Sequence, residues 1–229
     1  MIAGRLTEVR SRIATAARSV GRDPSSVRLI AVSKTCPLDA IEEAYAAGHR
    51  DFGENRVQEA LQKIGTSTEP DIRWHLLGHL QTNKARKAAG AFASIQSVDS
   101  VELLHRLDSA ALEAGANPEM LIQVAIGHET TKFGAPPTDV PRILKAGAGL
   151  EAARIVGLMT IPPPAQTPED ARPWFKRLRE LRDQCQASGV PPVMLRELSM
   201  GMSGDFEVAI QEGATMVRVG TSIFGSRAL

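Results

Sequence analysis

From Val27 onward the chain alternates eight short apolar runs with segments of helical periodicity, the last run being followed only by a short exit. The apolar runs are "VRLIAVS" at 27–33, "DFGE" at 51–54, "IRWHLLG" at 72–78 and "FASIQSV" at 92–98. They continue as "EMLIQVAI" at 119–126, "ARIVGLMTI" at 153–161, "PVMLRELSM" at 192–200 and "TMVRVGTSIFG" at 215–225. Helical patterns fall at 39–48, 56–64, 83–90, 101–114, 139–147, 168–187 and 205–213, the first and third ending on Gly48 and Gly90. Strands alternating with helices imply a parallel sheet. Eight such units in 229 residues suit an α/β fold of the (β/α)8 TIM-barrel type, which typically takes ~250. A doubly wound open sheet uses the same elements, since a strand count alone does not show closure.

Ahead of the first run, Ile2, Leu6, Val9, Ile13 and Ala17 recur at helical spacing, so an N-terminal helix is expected at about 2–20. No linker or low-complexity tract interrupts the chain, and 1–229 reads as a single domain. A hydrophobic content of 43% can build its core. The charge is almost balanced, 27 basic against 26 acidic residues, and only 4% of residues are aromatic. That excludes an electrostatic case for nucleic acid or an anionic membrane, and a stacking platform for single strands. Cys36 and Cys185 are too few for a disulfide framework or a zinc site. They suit a reducing compartment. With no apolar stretch long enough to span a bilayer and no cleavage pattern after the Arg-rich start, a cytoplasmic protein is expected. No helix face shows an apolar seam, so it is also expected to be a monomer.

In a barrel of this kind the functional groups sit at the C-terminal ends of the strands. Lys34 follows the first run. If Ile30 and Val32 point inward, period-2 alternation turns Lys34 inward as well. An amine near apolar walls is a nucleophile suited to an aldehyde; the other reading is a lysine whose stem packs while its head reaches water. At the last strand, Met216, Arg218 and Gly220 share one face and Val217 and Val219 the other, which places Arg218 inside the barrel. A buried guanidinium needs an acceptor. Ser203 and Gly204 after the seventh run, and Gly220 and Thr221 after the eighth, supply hydroxyls and backbone N–H groups where barrels commonly bind phosphate. Ser203 taken alone reads first as a helix N-cap, and Asp205 and Glu207 oppose an anion there.

A phosphate anchor facing a lysine across the mouth fits an aldehyde-bearing phosphate ester. Pyridoxal 5′-phosphate (PLP) is such an ester, with Arg218 able to reach its ring nitrogen. Met159, Glu54 and Asn55 also lie at strand ends, Asn55 doubling as a possible N-cap. For His75 and His79, packed or exposed side chains are the preferred reading.

These residues are familiar as a set. "AVSKT", "DFGENRVQEA", "WHLLGHLQTNK", "GLMTIP" and "LSMGMSGDFEVAIQEGATMVRVGTSIFG" together resemble the YggS/PROSC family of pyridoxal phosphate homeostasis proteins, from about Val27 to Gly225. The resemblance implies a barrel like the N-terminal domain of alanine racemase, with PLP covalently held as a Schiff base on Lys34. It also implies phosphate contacts from Ser203, Gly220 and Thr221, a ring-nitrogen contact from Arg218, and Asn55 lining the site. The chain departs from the family at Arg56, where many members carry tyrosine, at Ala125 in place of an asparagine, and at Gly204 in place of an acidic residue. Glu129 and Lys132 keep the family spacing.

Three functions compete. A carrier or buffer serving intracellular PLP homeostasis needs only the lysine, the phosphate loops and an open mouth, and it allows transient contact with PLP-dependent enzymes. A PLP-dependent racemase or decarboxylase needs a second base. Related enzymes supply a tyrosine from a C-terminal β-domain, whereas this chain ends at Leu229 and its only tyrosine is Tyr45. A phosphosugar isomerase would use the phosphate loops but leave Lys34 without a task. The expectation is a PLP-binding protein without catalytic activity.

Overall fold

The computed structural model describes residues 1–127 and 133–225, so Glu129 and Lys132 lie outside the described residues. Eight parallel strands close into a barrel in sequence order, which settles the choice against an open sheet. They are β1 (Arg28–Val32), β2 (Asp51–Glu54), β3 (Arg73–Leu76), β4 (Ser94–Val98), β5 (Glu119–Gln123), β6 (Arg154–Met159), β7 (Glu197–Ser199) and β8 (Met216–Val219). Closure runs through β1 and β8, where Ile30 lies opposite Arg218.

The helices are α1 (Ile2–Ser19), α2 (Leu38–Ala46), α3 (Val57–Thr66), α4 (Ala85–Ala89), α5 (Val101–Ala114), α6 (Val140–Gly147), α7 (Arg172–Ala187), α8 (Phe206–Gln211) and α9 (Thr221–Phe224). Helix α1 buries Ile2, Leu6, Val9, Ile13 and Ala17, one stripe of a 3.6-residue period. That stripe packs on α8, α9 and α2. Each fully buried Leu or Ile there contributes roughly 1.5–3 kcal/mol.

The seventh apolar run is not one strand. Residues Pro192–Leu195 form a 3-10 turn, and only Glu197–Ser199 join the sheet. Proline has no N–H for a ladder and its fixed φ suits the first position of a helical turn, so Pro192 diverts the run. The fifth run also stops early, at Gln123. There the chain turns onto a following segment: Ala135 N–H donates to Gln123 O and Ala125 N–H to Ala135 O. The long helix begins as a 3-10 turn at Pro168–Ala171 and is anchored by Phe175, Leu178 and Cys185, with Trp174 and Leu181 only partly covered. Thr82–Lys84 is likewise a 3-10 turn, which shortens α4 to one turn and a half.

Period-2 alternation separates two cores. Val217, Val219, Phe52 and Leu158 face the helices and join the large outer core. Ile30, Leu77, Leu121, Val156, Met159 and Met216 fill the barrel interior, with Val32 packed on them. This plug is the floor beneath the strand C-termini.

Candidate functional site

Above that floor opens a cavity of about 470 Å³ at the C-terminal end of the barrel, within the size range of small-molecule sites. Lys34 enters it from the end of β1, and Asn55 and Gly78 from the ends of β2 and β3. Ser203, Gly204, Arg218, Gly220 and Thr221 border it from the loops around β7 and β8, and β8 pairs directly with β1. Seven of the eight residues singled out in the sequence therefore line one cavity. Met159 does not. It is fully buried in the apolar plug beneath the cavity, inward with Val156 three residues earlier because the β5–β6 register shifts there and breaks the alternation of β6.

Gly78 is required by space. A Cβ there would stand 2.1 Å from the carbonyl oxygen of Asn55. The two strand-end loops approach closely only because position 78 has no side chain.

Arg218 points into the barrel as its strand register dictates, and it is only 4% exposed. Its Nη1 donates to Ser199 Oγ at 2.6 Å and its Nη2 to Thr160 O at 2.7 Å. Ser199 in turn donates to Gln96 Oε1 at 2.6 Å. Burial lowers the guanidinium pKa to about 10, a cost only partly offset by the field of Asp205. Both acceptors are neutral, so a buried cation with donors to spare faces the cavity. That arrangement suits a ligand carrying a neutral acceptor nitrogen.

Ser203 is not the N-cap of α8. The cap position is Asp205, whose Oδ1 accepts from Met202 N–H at 2.6 Å and whose own N–H donates to Met202 O. The Asp205 N–H is thus spent inside the turn and does not face a phosphate. Ser203 Oγ instead accepts from Gly220 N–H at 3.1 Å, joining the two loops. A Cβ on Gly204 would meet nothing within 4 Å, so a side chain there would project into open space. Asn55 is not a cap either, since Arg56 holds that position on α3.

Glu54 lies behind the site rather than in it. It is fully buried, and its Oε1 accepts from Ser33 Oγ at 2.6 Å and from Lys63 Nζ at 2.8 Å. Burial raises its pKa despite those two partners. The alternation of β2 turns Glu54 toward α3. His75 is inward but remote, with Nε2 2.9 Å from Asp51 Oδ1.

His79, for which packing or exposure was preferred, lines the cavity. Its ring stacks on Phe133 with centroids 3.8 Å apart, and Nδ1 lies 3.6 Å from Asp99 Oδ2. Gln123 and Phe133 also line it, joined by a 2.9 Å hydrogen bond from Gln123 Nε2 to Phe133 O. Gln123 carried a usable signal, being a polar residue inside an apolar run. Phe133 reaches the mouth from a loop and carried none.

The set fits PLP: an amine, a hydroxyl-rich pair of loops and a buried guanidinium, all bordering one cavity. The alanine racemase N-terminal domain model matches residues 5–228. A pyridoxal phosphate homeostasis protein of Pseudomonas aeruginosa is 44% identical over 227 residues, covering 99% of this chain and 96% of that one. The chain belongs to the pyridoxal phosphate homeostasis protein family. A second member, from Aquifex aeolicus, is 43% identical and covers 97% of both chains. Among solved structures, PipY of Synechococcus elongatus PCC7942 with PLP bound superimposes with a TM-score of 0.86 at 45% identity, over 98% of this chain and all of that one. An alanine racemase of Clostridium difficile 630 has a TM-score of 0.73 at 16% identity over 57% of its length, a likeness of fold. The barrel architecture shared with alanine racemase thus agrees with the expectation from sequence.

Proposed function

We propose that this protein binds PLP and serves its homeostasis as a carrier or buffer, holding the cofactor as a Schiff base on Lys34. The carrying observation is convergence: Lys34, Arg218, Ser203, Gly204, Gly220 and Thr221 border one cavity although they come from three strand ends. Lys34 supplies the amine. The loops after β7 and β8 hold the phosphate, Arg218 donates to the ring nitrogen, and Asn55 borders the ring. Held in this way, PLP would offer the imine carbon to exchange with another amine. The relatives named for PLP homeostasis and the PLP-bound PipY support this reading.

Carriage is favoured over catalysis by two features. The single tyrosine, Tyr45, is tied to Asp71 on the outer surface, and that hydrogen bond pushes its pKa up to about 12. It is no base for the cavity. Arg218, as a donor to the ring nitrogen, keeps that nitrogen unprotonated and weakens the ring as an electron sink. Phe133, Ile161 and Met202 are exposed around the mouth, an apolar rim suited to brief contact with an enzyme that accepts PLP. Among the described residues, no helix is long and apolar enough to cross a membrane. We read the chain as one cytoplasmic, monomeric unit.

The test is the absorbance spectrum of the purified protein before and after borohydride. A near-visible band should vanish on reduction and leave a pyridoxyl group on the peptide containing Lys34. A pyridoxyl group found only on Lys84 or Lys132 would overturn the assignment.

A further inference from the structure

Among the described residues, Thr35 is the only one besides glycine with a positive φ, +62°. A β-branched residue is strained in that left-handed region, so its neighbours must hold it there. Two contacts do so. Thr35 N–H donates to Glu59 Oε1 at 2.5 Å, and its Oγ1 donates to Lys34 O at 2.6 Å.

Glu59 is itself fixed. Lys63, one turn further along α3, donates to the same Oε1 at 2.9 Å. Its ammonium also donates to Glu54 Oε1 at 2.8 Å and to the Ser33 carbonyl at 2.8 Å. Ser33 N–H is tied to Gly53 O at 3.0 Å. The backbone is therefore anchored on both sides of Lys34, at the carbonyl before it and the amide after it, by one pair of residues from α3. Although partial burial works against it, the contacts from Lys63 and Thr35 hold the Glu59 carboxyl below its usual range, as a charged acceptor. A buried ion cluster is an expensive way to join a helix to a strand, since apolar packing joins them at lower desolvation cost. This one reaches the backbone beside the residue that lines the cavity.

We propose that Glu59 and Lys63 are positioning residues for Lys34, holding the Ser33–Thr35 backbone in its left-handed kink so that the amine is aimed before the cofactor arrives. The inference rests on the reading that Lys34 carries PLP. In that step the neutral Lys34 Nζ adds its electron pair to the aldehyde carbon. The C=O bond becomes C=N, and the oxygen leaves as water with both amine protons. A loop already ordered for this addition has no ordering cost left at the moment of reaction.

Glu59→Ala and Glu59→Gln separate positioning from bulk stability, because glutamine keeps an oxygen acceptor for Thr35 N–H. Glu59 is partly exposed, and both variants should fold. In the cofactor-free protein, hydrogen exchange at the Thr35 amide should quicken about tenfold or more in Glu59→Ala, as for any lost charge-assisted hydrogen bond. It should stay near wild type in Glu59→Gln, with amides of β4 unchanged in both. On mixing with PLP, the near-visible band should form about tenfold more slowly in Glu59→Ala and at close to the wild-type rate in Glu59→Gln, if the same contact sets the attack. Lys63→Met with Glu54→Gln removes the buried charges as a pair and should loosen the same amide. Wild-type exchange and wild-type band formation in Glu59→Ala would overturn the proposal, as would glutamine behaving like alanine. A wild-type adduct on a different lysine would defeat the binding reading instead, and exchange at Thr35 would still judge the clamp.

Discussion

Arg218 Nη1 donates to Ser199 Oγ at 2.6 Å inside the barrel, where both side chains are buried. Ser199→Ala removes the acceptor and leaves a buried guanidinium with one fewer partner. The expected cost is about 1–3 kcal/mol of stability, read as a lower midpoint in urea. PLP should bind more weakly in the same variant, because Arg218 loses the contact that orients it. An unchanged urea midpoint and unchanged affinity would show that Thr160 O alone suffices.

The cradle between the last two loops gives the second expectation. A hydrogen bond to an ionised group contributes about 1.5–3 kcal/mol. Thr221→Val should therefore loosen PLP by roughly 10- to 100-fold, at ~1.4 kcal/mol per decade. Pyridoxal, which lacks the phosphate, should bind far less well than PLP to the unaltered protein. Titration calorimetry with both aldehydes is the check, and equal affinities would remove the cradle from the account.

Absence of turnover is the third. With Tyr45 held by Asp71 on the outer surface and an arginine at the ring nitrogen, the PLP-loaded protein should neither racemise nor decarboxylate amino acids. Incubation with L-alanine and a panel of others in deuterated water, followed by chiral analysis and mass spectrometry, reports on both. Multiple-turnover inversion lost in Lys34→Ala would establish an enzyme.

Acid should loosen the fold through His49. It is 5% exposed, and desolvation lowers its pKa to about 4, against 6.5 in an unfolded chain, outweighing the backbone contact at Asp51. A depressed histidine pKa means that the unfolded state takes up the proton first. Stability is therefore intact above about 6.5 and falls as the pH drops from there toward 4. The loss is on the order of 3 kcal/mol at ~1.4 kcal/mol per tenfold change in proton affinity. His49→Gln should flatten this part of the curve, and a variant as acid-sensitive as the parent would discharge His49 from the role.

Much of the barrel was legible because the signals are local. Period-2 alternation in "TMVRVGTSIFG" put Arg218 inside and Val217 and Val219 outside, and the structure agrees. The helix at Val101–Ala114 follows from its apolar spacing, and the structure adds its cap, Ser100, whose Oγ accepts from Leu103 N–H. Where a local rule competed, the simpler reading failed. Pro192 turned half of the seventh strand into a 3-10 turn, and Asp205 took the cap that Ser203 was expected to hold.

By itself the sequence determined the order of elements, the inward face of the last strand and the residue types at the strand ends. Those follow from side-chain period and backbone propensity, which act over a few residues. Only the tertiary structure decided that His79, Gln123 and Phe133 border the same cavity as Lys34, Ser203 and Thr221, that Met159 sits in the plug beneath it, and that Glu54 supports the lysine loop from behind. It also brought Phe133 against His79. Contacts between residues scores of positions apart depend on barrel closure and on strand stagger, and no short stretch of chain carries that information.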